Sequence, residues 1–284
     1  VTVAEQPRPG ADGPADSDTA DPDPARLLVL ACAIAREAGA MLADRSGRAV
    51  VVGTKTSPTD VVTEMDQAAE RLIRERILAQ RPGDAILGEE GGQTGGGAPV
   101  RWIVDPLDGT VNYLYDLPDW AVSIAAEVRG DVVAGAVCVP SRDALYFGVL
   151  GGGSYRVSLT GGEPEPLACT VGVPLNRALV ATGFGYAPGR RVVQGQVVAA
   201  VLPQVRDIRR NGVCAVDLCS LAAGNVDGYY ERGVQYWDIA AGSLIAREAG
   251  AVVAGLAGKP AGPAMTVGGG PALFAELHDL LLSL

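Results

Sequence analysis

The segment WIVDPLDGTVNY, residues 102–113, constrains the fold more than any other stretch, because it ends an apolar run in two carboxylates spaced three apart and then supplies glycine. Trp102, Ile103 and Val104 read as a short buried strand. After it, Pro106 and Gly109 predict an irregular turn that aims Asp105, Asp108 and a freed carbonyl into one space. Oxygen donors of this kind suit magnesium, which takes carboxylates and water and shares its shell with a substrate phosphate. The N–H groups of Gly109 and Thr110 can meet a phosphate oxygen, since glycine lets the main chain approach closely. The bland alternative for a D-x-x-D turn is a solvated loop.

Three further segments carry acids at the ends of apolar elements. KTSPTDVVTEMDQAAE supplies Lys55, Asp60 and Asp66 before an amphipathic helix bearing Leu72, Ile73 and Ile77. As structure alone, Asp66 is a helix cap or a first-turn acid favoured by the helix dipole. AILGEEGG ends a strand in Glu89 and Glu90, adjacent charges that repel unless a cation or water lies between them. In YYERGVQYWDIAAGSLIAREAGA, Asp238 stands before a helix whose Ile239, Leu244 and Ile245 face the core and whose stop is Gly250. Asp238 also suits a plain N-cap.

Together GEE, WIVDPLDGTVNY and WDIAAGSLIAREAG, with TDVVTEMD upstream, resemble the signatures of the inositol monophosphatase family of metal-dependent, lithium-sensitive phosphatases, from about Leu27 to the C-terminus. The resemblance implies a layered αβαβα sandwich of two α/β lobes, about 25–165 and 166–284, with the site between them, two or three Mg2+ ions, and usually a dimer. It makes Glu89, Asp105, the carbonyl of Leu107, Asp108 and Asp238 the metal ligands. Asp66 and Thr110, with Glu89, become the catalytic groups, the first two orienting the attacking water. The phosphate lies against Gly109 and Thr110, and Glu231 meets a hydroxyl of the alcohol. Leu107, Asp108, Asp238 and Cys214 complete the substrate contacts. One departure stands out: where many relatives read G-S-A-A or G-T-A-A, this chain has Gly212-Val213-Cys214-Ala215, so the alcohol-side wall loses a hydroxyl and gains a thiol.

Absences exclude other phosphatase chemistries. The only histidine is His278, read as a surface helix residue, so a histidine nucleophile, base or metal site has one residue to rest on. No cysteine has an arginine six positions on, and no Asp-x-Asp-x-Thr ends a strand, which removes the cysteine- and aspartate-nucleophile enzymes. GGQTGGG lacks the Lys-Ser/Thr of a P-loop and reads as a flexible connection; Arg209 and Arg210 are basic neighbours near the site segment, and a surface or inter-subunit role suits them at least as well.

The reaction expected is magnesium-dependent hydrolysis of inositol 1-phosphate without a covalent intermediate. Histidinol-phosphate, fructose-1,6-bisphosphate and nucleotide 3′-phosphate remain alternatives on the same metal site. A regulator that keeps the fold and binds RNA polymerase or a ribosomal factor is the alternative of another class.

A chain of 284 residues can bury a substantial core. Residues 1–24 hold six acids against Arg8 among many Pro, Ala and Gly, and predict a disordered acidic tail. With a formal net charge of −10, a basic nucleic-acid surface is not expected. No signal peptide or membrane-long apolar run is read. Five cysteines, odd in number and without C-x-x-C spacing, point to reduced thiols in a cytoplasm, Cys32 and Cys138 being small core residues. Periodicity predicts helices over about 25–44, 64–80, 192–202, 213–223 and after Asp238, and strands over 102–104, 120–128, 132–139, 144–149, 177–182 and 226–230.

Overall fold

The computed structural model describes residues 22–45, 50–55, 58 and 60–284. The acidic tail expected over residues 1–24 lies, as far as Asp21, outside the described residues; Pro24 itself opens the first helix, capped by the side chain of Asp23, which accepts from Ala25 N at 3.0 Å. Helix α1 (Pro24–Ala43) leads to β1 (Val51–Thr54), β2 (Val61–Thr63), α2 (Glu64–Gln80), β3 (Ala85–Gly88), β4 (Gly92–Thr94), β5 (Val100–Asp108) and α3 (Thr110–Leu114). Strands β6 (Ala121–Val128), β7 (Asp131–Val139), β8 (Ala144–Val149), β9 (Gly153–Ser158) and β10 (Glu165–Pro166) follow. The remainder is β11 (Leu179–Thr182), α4 (Pro188–Val201), β12 (Asp207–Arg209), α5 (Cys214–Ala222), β13 (Gly228–Glu231), α6 (Tyr236–Glu248), β14 (Val252–Ala254), β15 (Thr266–Gly269) and α7 (Pro271–Leu282).

Strand alternation sets the layers. Along β6, Val122, Ile124, Ala126 and Val128 pack with α1 and α2, whereas Ala121 and Ala125 pack with α5 and α6. Burial on both faces explains a strand that reads as one apolar run. The eight-stranded sheet runs β10-β9-β8-β7-β6-β5-β3-β4, antiparallel except for β3 against β5. The second sheet, β12-β11-β13-β15-β14, turns its far side to α4 and α7 through Val201, Leu273, Leu277 and Leu281. With α5 and α6 between the sheets, the order is αβαβα.

Small residues allow the middle layer to close. A Cβ on Gly135 of β7 would lie 3.0 Å from Ala241 Cα of α6, and one on Gly242 would lie 2.8 Å from Leu218 Cβ of α5. Glu248, near the C-terminal end of α6, accepts from Gly151 N and Gly153 N, both at 2.9 Å, and so ties that helix to the β8–β9 turn.

Several expectations need correction. The strand at Trp102 does not stop at Val104 but continues to Asp108 through a β-bulge between Asp105 and Asp108, since pairing with β6 resumes at Ala121. GGQTGGG is not wholly a flexible connection: Gly92–Thr94 pairs with β3 as an edge strand, and Arg74 donates to Gly92 O at 2.7 Å and Thr94 Oγ1 at 2.6 Å. His278 lies on α7 as read, and is half-buried there. Its Nε2 accepts from Ala257 N at 3.1 Å and its ring stacks on Phe274.

Gly135→Ala tests the packing of α6. The added methyl would crowd the Ala241 backbone at 3.0 Å and push α6 from the sheet, so the variant should lose about 1–3 kcal/mol, read as a lower urea midpoint at unchanged m. A wild-type midpoint would show that α6 has slack on the sheet.

Candidate active site

The four acidic segments meet at one cavity of about 550 Å³, whose lining includes Lys55, Glu89, Asp105, Leu107, Asp108, Gly109, Thr110, Cys214, Glu231 and Asp238. The connection of each acid to its own element explains the convergence. Asp66 is the third residue of α2, where Thr63 N donates to its Oδ2 at 2.8 Å; it is a first-turn acid and Thr63 is the cap. Asp238 likewise is not the N-cap but the third residue of α6, its Oδ2 accepting from Gln235 N at 2.6 Å. Asp108 accepts at Oδ2 from Ala215 N, 2.7 Å, at the start of α5. Asp105 accepts at Oδ1 from Leu107 N, 3.1 Å, inside the bulge. For Asp105, Asp108 and Asp238 the second oxygen accepts no hydrogen bond among the described residues.

Burial raises the pKa of all three well above the ordinary carboxylate value, and neighbouring acids add to it: Glu89 and Asp108 at Asp105, Asp238 at Asp108, and Glu89 at Asp238. The cation expected between Glu89 and Glu90 is a side chain here. Lys55 Nζ lies 2.7 Å from Glu89 and 2.5 Å from Glu90. Burial alone would lower the pKa of Lys55, but the charges and hydrogen bonds of the two glutamates outweigh it and the ammonium is held protonated.

Thr110 lines the cavity, while Asp66 stands fully buried behind it. Thr110 Oγ1 is 2.8 Å from Asp66 Oδ1 and 3.2 Å from Leu107 O. A hydroxyl has one proton, so donation to the carboxylate leaves the oxygen's lone pairs to accept from a group in the cavity. Gly109 has φ of +91°, and a Cβ there would lie 2.7 Å from Val213 Cγ2, so two independent constraints require glycine beside Thr110.

On the opposite wall, Tyr229 Oη lies 2.9 Å from Glu231 Oε2 and 3.0 Å from Cys214 Sγ. The phenol proton serves the stronger acceptor, the carboxylate, and leaves its oxygen for the thiol S–H. Cys214 therefore lines the cavity with its polar bond turned to Tyr229. Burial raises Glu231 to about 7, against the lowering effects of Tyr229 and Arg210. Gly183 makes space for it: a Cβ there would fall 2.2 Å from the Glu231 carboxylate oxygens.

Phe184, Tyr186, Arg190 and Trp237 also line the cavity and were not singled out from sequence. Of the two basic neighbours near the site segment, Arg210 joins them, and Arg209 turns away to pair with Asp207. Trp237 was legible as the neighbour of Asp238; nothing in local spacing marked the other four.

The donor set fits a hard divalent cation, with carboxylates of Glu89, Asp105, Asp108 and Asp238 and the carbonyl of Leu107 all opening on one cavity. Among the described residues no three acids, cysteines or histidines are drawn into a closed cluster. Mutual repulsion favours such spreading, and an open set suits magnesium, which keeps water and phosphate oxygens in its shell.

The model of the inositol monophosphatase family matches residues 23–282. Inositol-1-monophosphatase SuhB of Mycobacterium tuberculosis is 46% identical over 250 residues, 82% of this chain and 85% of that protein. The solved structure of Mycobacterium tuberculosis SuhB gives a TM-score of 0.78 at 42% identity, covering 93% of this chain and 98% of that one. A Nus factor SuhB of Pasteurella multocida is 39% identical over 232 residues, 80% of this chain and 84% of that protein. The chain belongs to the inositol monophosphatase family of phosphatases.

Proposed function

We propose that this protein hydrolyses myo-inositol 1-phosphate to inositol and phosphate with magnesium, in a site between lobes of about 25–165 and 166–284. The observation that carries the reading is the convergence of Glu89, Asp105, Asp108 and Asp238 on the cavity that also receives Gly109, Thr110 and Glu231. The name of the Mycobacterium tuberculosis relative supports the substrate. The reading includes two or three magnesium ions, inhibition by lithium, and a homodimer acting in the cytoplasm.

Glu89, Asp105, Asp108, Asp238 and the Leu107 carbonyl would hold magnesium, which when bound activates water and neutralises charge on the attacking and leaving oxygens. The protein's own groups do the positioning. Gly109 N and Thr110 N receive a phosphate oxygen. Thr110 Oγ1, its proton given to Asp66, accepts from the attacking water and orients it on phosphorus. Glu231 accepts from a ring hydroxyl with its free oxygen, while Tyr229 fixes the other. A purely regulatory role, suggested by the Nus factor name of one relative, leaves the Asp66–Thr110 pair and four cavity carboxylates without a task.

Phosphate release from a panel of phosphomonoesters with and without magnesium is the direct test; equal rates without metal would overturn the reading. Asp108→Asn should cut turnover by about a hundredfold or more while the fold survives. The same change probes stability. Raised folded-state pKa values mean that the metal-free folded protein binds protons the unfolded chain releases, so stability falls as pH rises above the unfolded carboxylate value of about 3.9. Metal-free wild type should thus unfold at lower urea near neutral pH than at about pH 5, and Asp108→Asn should flatten that slope. A flat wild-type profile would count against buried mutual repulsion.

Thr110→Ala should lower kcat on the order of 100-fold with little change in KM, because its hydroxyl orients water and not the alcohol. A pure KM effect would move Thr110 to substrate binding. Glu231→Gln should impair inositol 1-phosphate more than a small ester without ring hydroxyls, and equal losses would make Glu231 structural.

A further inference from the structure

Helix α2 carries more of the site than Asp66. One turn on from that residue stands Glu70, 3% exposed, and a further turn on stands Arg74, so the three share one face of the helix. Asp66 receives the Thr110 hydroxyl, and Glu70 receives the backbone that follows Glu89. Glu70 Oε2 accepts from Glu90 N and its Oε1 from Gly91 N, both at 2.8 Å. Arg74 Nε donates to Glu70 Oε1 at 2.7 Å, while its Nη groups reach Gly92 O and Thr94 Oγ1. Glu89 is tied on its other side to β5, its N–H donating to Val104 O at 3.2 Å, next to Asp105.

The hydrolysis described above gives Glu70 no task, and a buried carboxylate is costly unless its oxygens are hydrogen-bonded. Two amides and a guanidinium meet that need, and the sequence is adapted to the contact. A Cβ on Gly88 would fall 2.5 Å from Glu70 Oε1, and one on Gly91 would fall 2.6 Å from the same oxygen and 2.9 Å from Arg74 Nη2. Neither glycine has a positive φ, so it is the Glu70 carboxylate, and not the backbone conformation, that excludes a side chain at both positions. Hydrogen bonds to an ionised group are the stronger kind, and the β3–β4 turn tilts only by breaking two of them. The same helix therefore sets the spacing between the turn that bears Glu89 and the Asp66–Thr110 pair.

We infer that Glu70, braced by Arg74, is a positioning residue that holds Glu89 ready for a divalent cation and fixes its place relative to the Asp66–Thr110 pair. The inference rests on the phosphatase reading and deepens its metal site. Glu70 does not line the cavity; it acts through the main chain of Glu90 and Gly91. Without that hold, an incoming metal has to order the Glu89 turn as it binds, which lowers its affinity.

The test is calorimetric titration of magnesium into the metal-free protein without substrate. In Glu70→Gln the volume is kept, but one acceptor oxygen becomes an amide nitrogen that cannot accept, so one backbone N–H of the turn is released and magnesium affinity should fall about 10–100-fold. The magnesium midpoint for inositol 1-phosphate hydrolysis should move by the same factor, with activity returning as magnesium is raised and KM for the ester little changed. Arg74→Lys keeps the charge and loses the fork, and its affinity should lie between those of Glu70→Gln and wild type. Arg76→Ala breaks the exposed pair with Glu37 on the same helix and should leave the affinity at its wild-type value. Urea midpoints of the metal-free proteins report whether each variant folds, and if Glu70→Gln does not, Arg74→Lys decides alone. Wild-type affinity in the folded variants, or an equal loss in Arg76→Ala, would overturn the positioning role and leave Glu70 as a brace of the hairpin. A wild type that neither binds magnesium nor releases phosphate from any ester would bring down the phosphatase reading itself.

Discussion

Repulsion among buried carboxylates is the constraint around which this molecule is arranged. Asp105, Asp108 and Asp238 share one cavity, and burial together with their mutual charge pushes each towards protonation. Each answers with the same device. One oxygen accepts a backbone N–H, from Leu107, Ala215 or Gln235, and the other is left for the cavity. The hydrogen bond fixes the side chain and partly offsets the cost of burying it.

That division of labour couples fold to site. Asp108 belongs to β5 yet secures the first turn of α5, and Asp238 secures the first turn of α6. The middle helical layer therefore begins where the chemistry is, and its close packing through Gly135, Ala241, Gly242 and Leu218 holds the carboxylates in place. Lys55 bridges Glu89 and Glu90, offsets part of their charge, and brings the segment before α2 to the cavity edge.

The two walls of the cavity differ in what they ask of a ligand. The Gly109–Thr110 side is short, turned by a positive φ, and backed by the buried Asp66. The other side, built from Glu231, Cys214 and the arginines, is laid on glycine backbone and carries the thiol by which this chain departs from the G-S-A-A or G-T-A-A pattern, whereas Val213, the other departure, packs against Gly109. On that wall Glu231 and Cys214 hydrogen-bond to Tyr229 and not to the Asp66–Thr110 pair.

The sequence by itself determined the periodic elements and the acids at their ends. The helix over residues 64–80 is the one observed, and the acid-bearing motifs held Glu89, Asp105, Asp108 and Asp238, which open on the cavity; both were legible because apolar period and turn chemistry are local properties. It also left Asp66 and Asp238 undecided between cap and function, and the structure shows first-turn acids whose capping bond does not exclude an outward role. Local pattern could not place Arg190, Phe184 or Tyr186, nor distinguish Arg210 from Arg209, because their relevance depends on which wall the second sheet presents to the first. It ended β5 too early, since the bulge that carries pairing past Pro106 is set by the partner strand. Tertiary structure alone decided that four distant acidic segments share one cavity and that glycines make room for the guanidiniums facing it, because both depend on contacts between elements far apart in the chain.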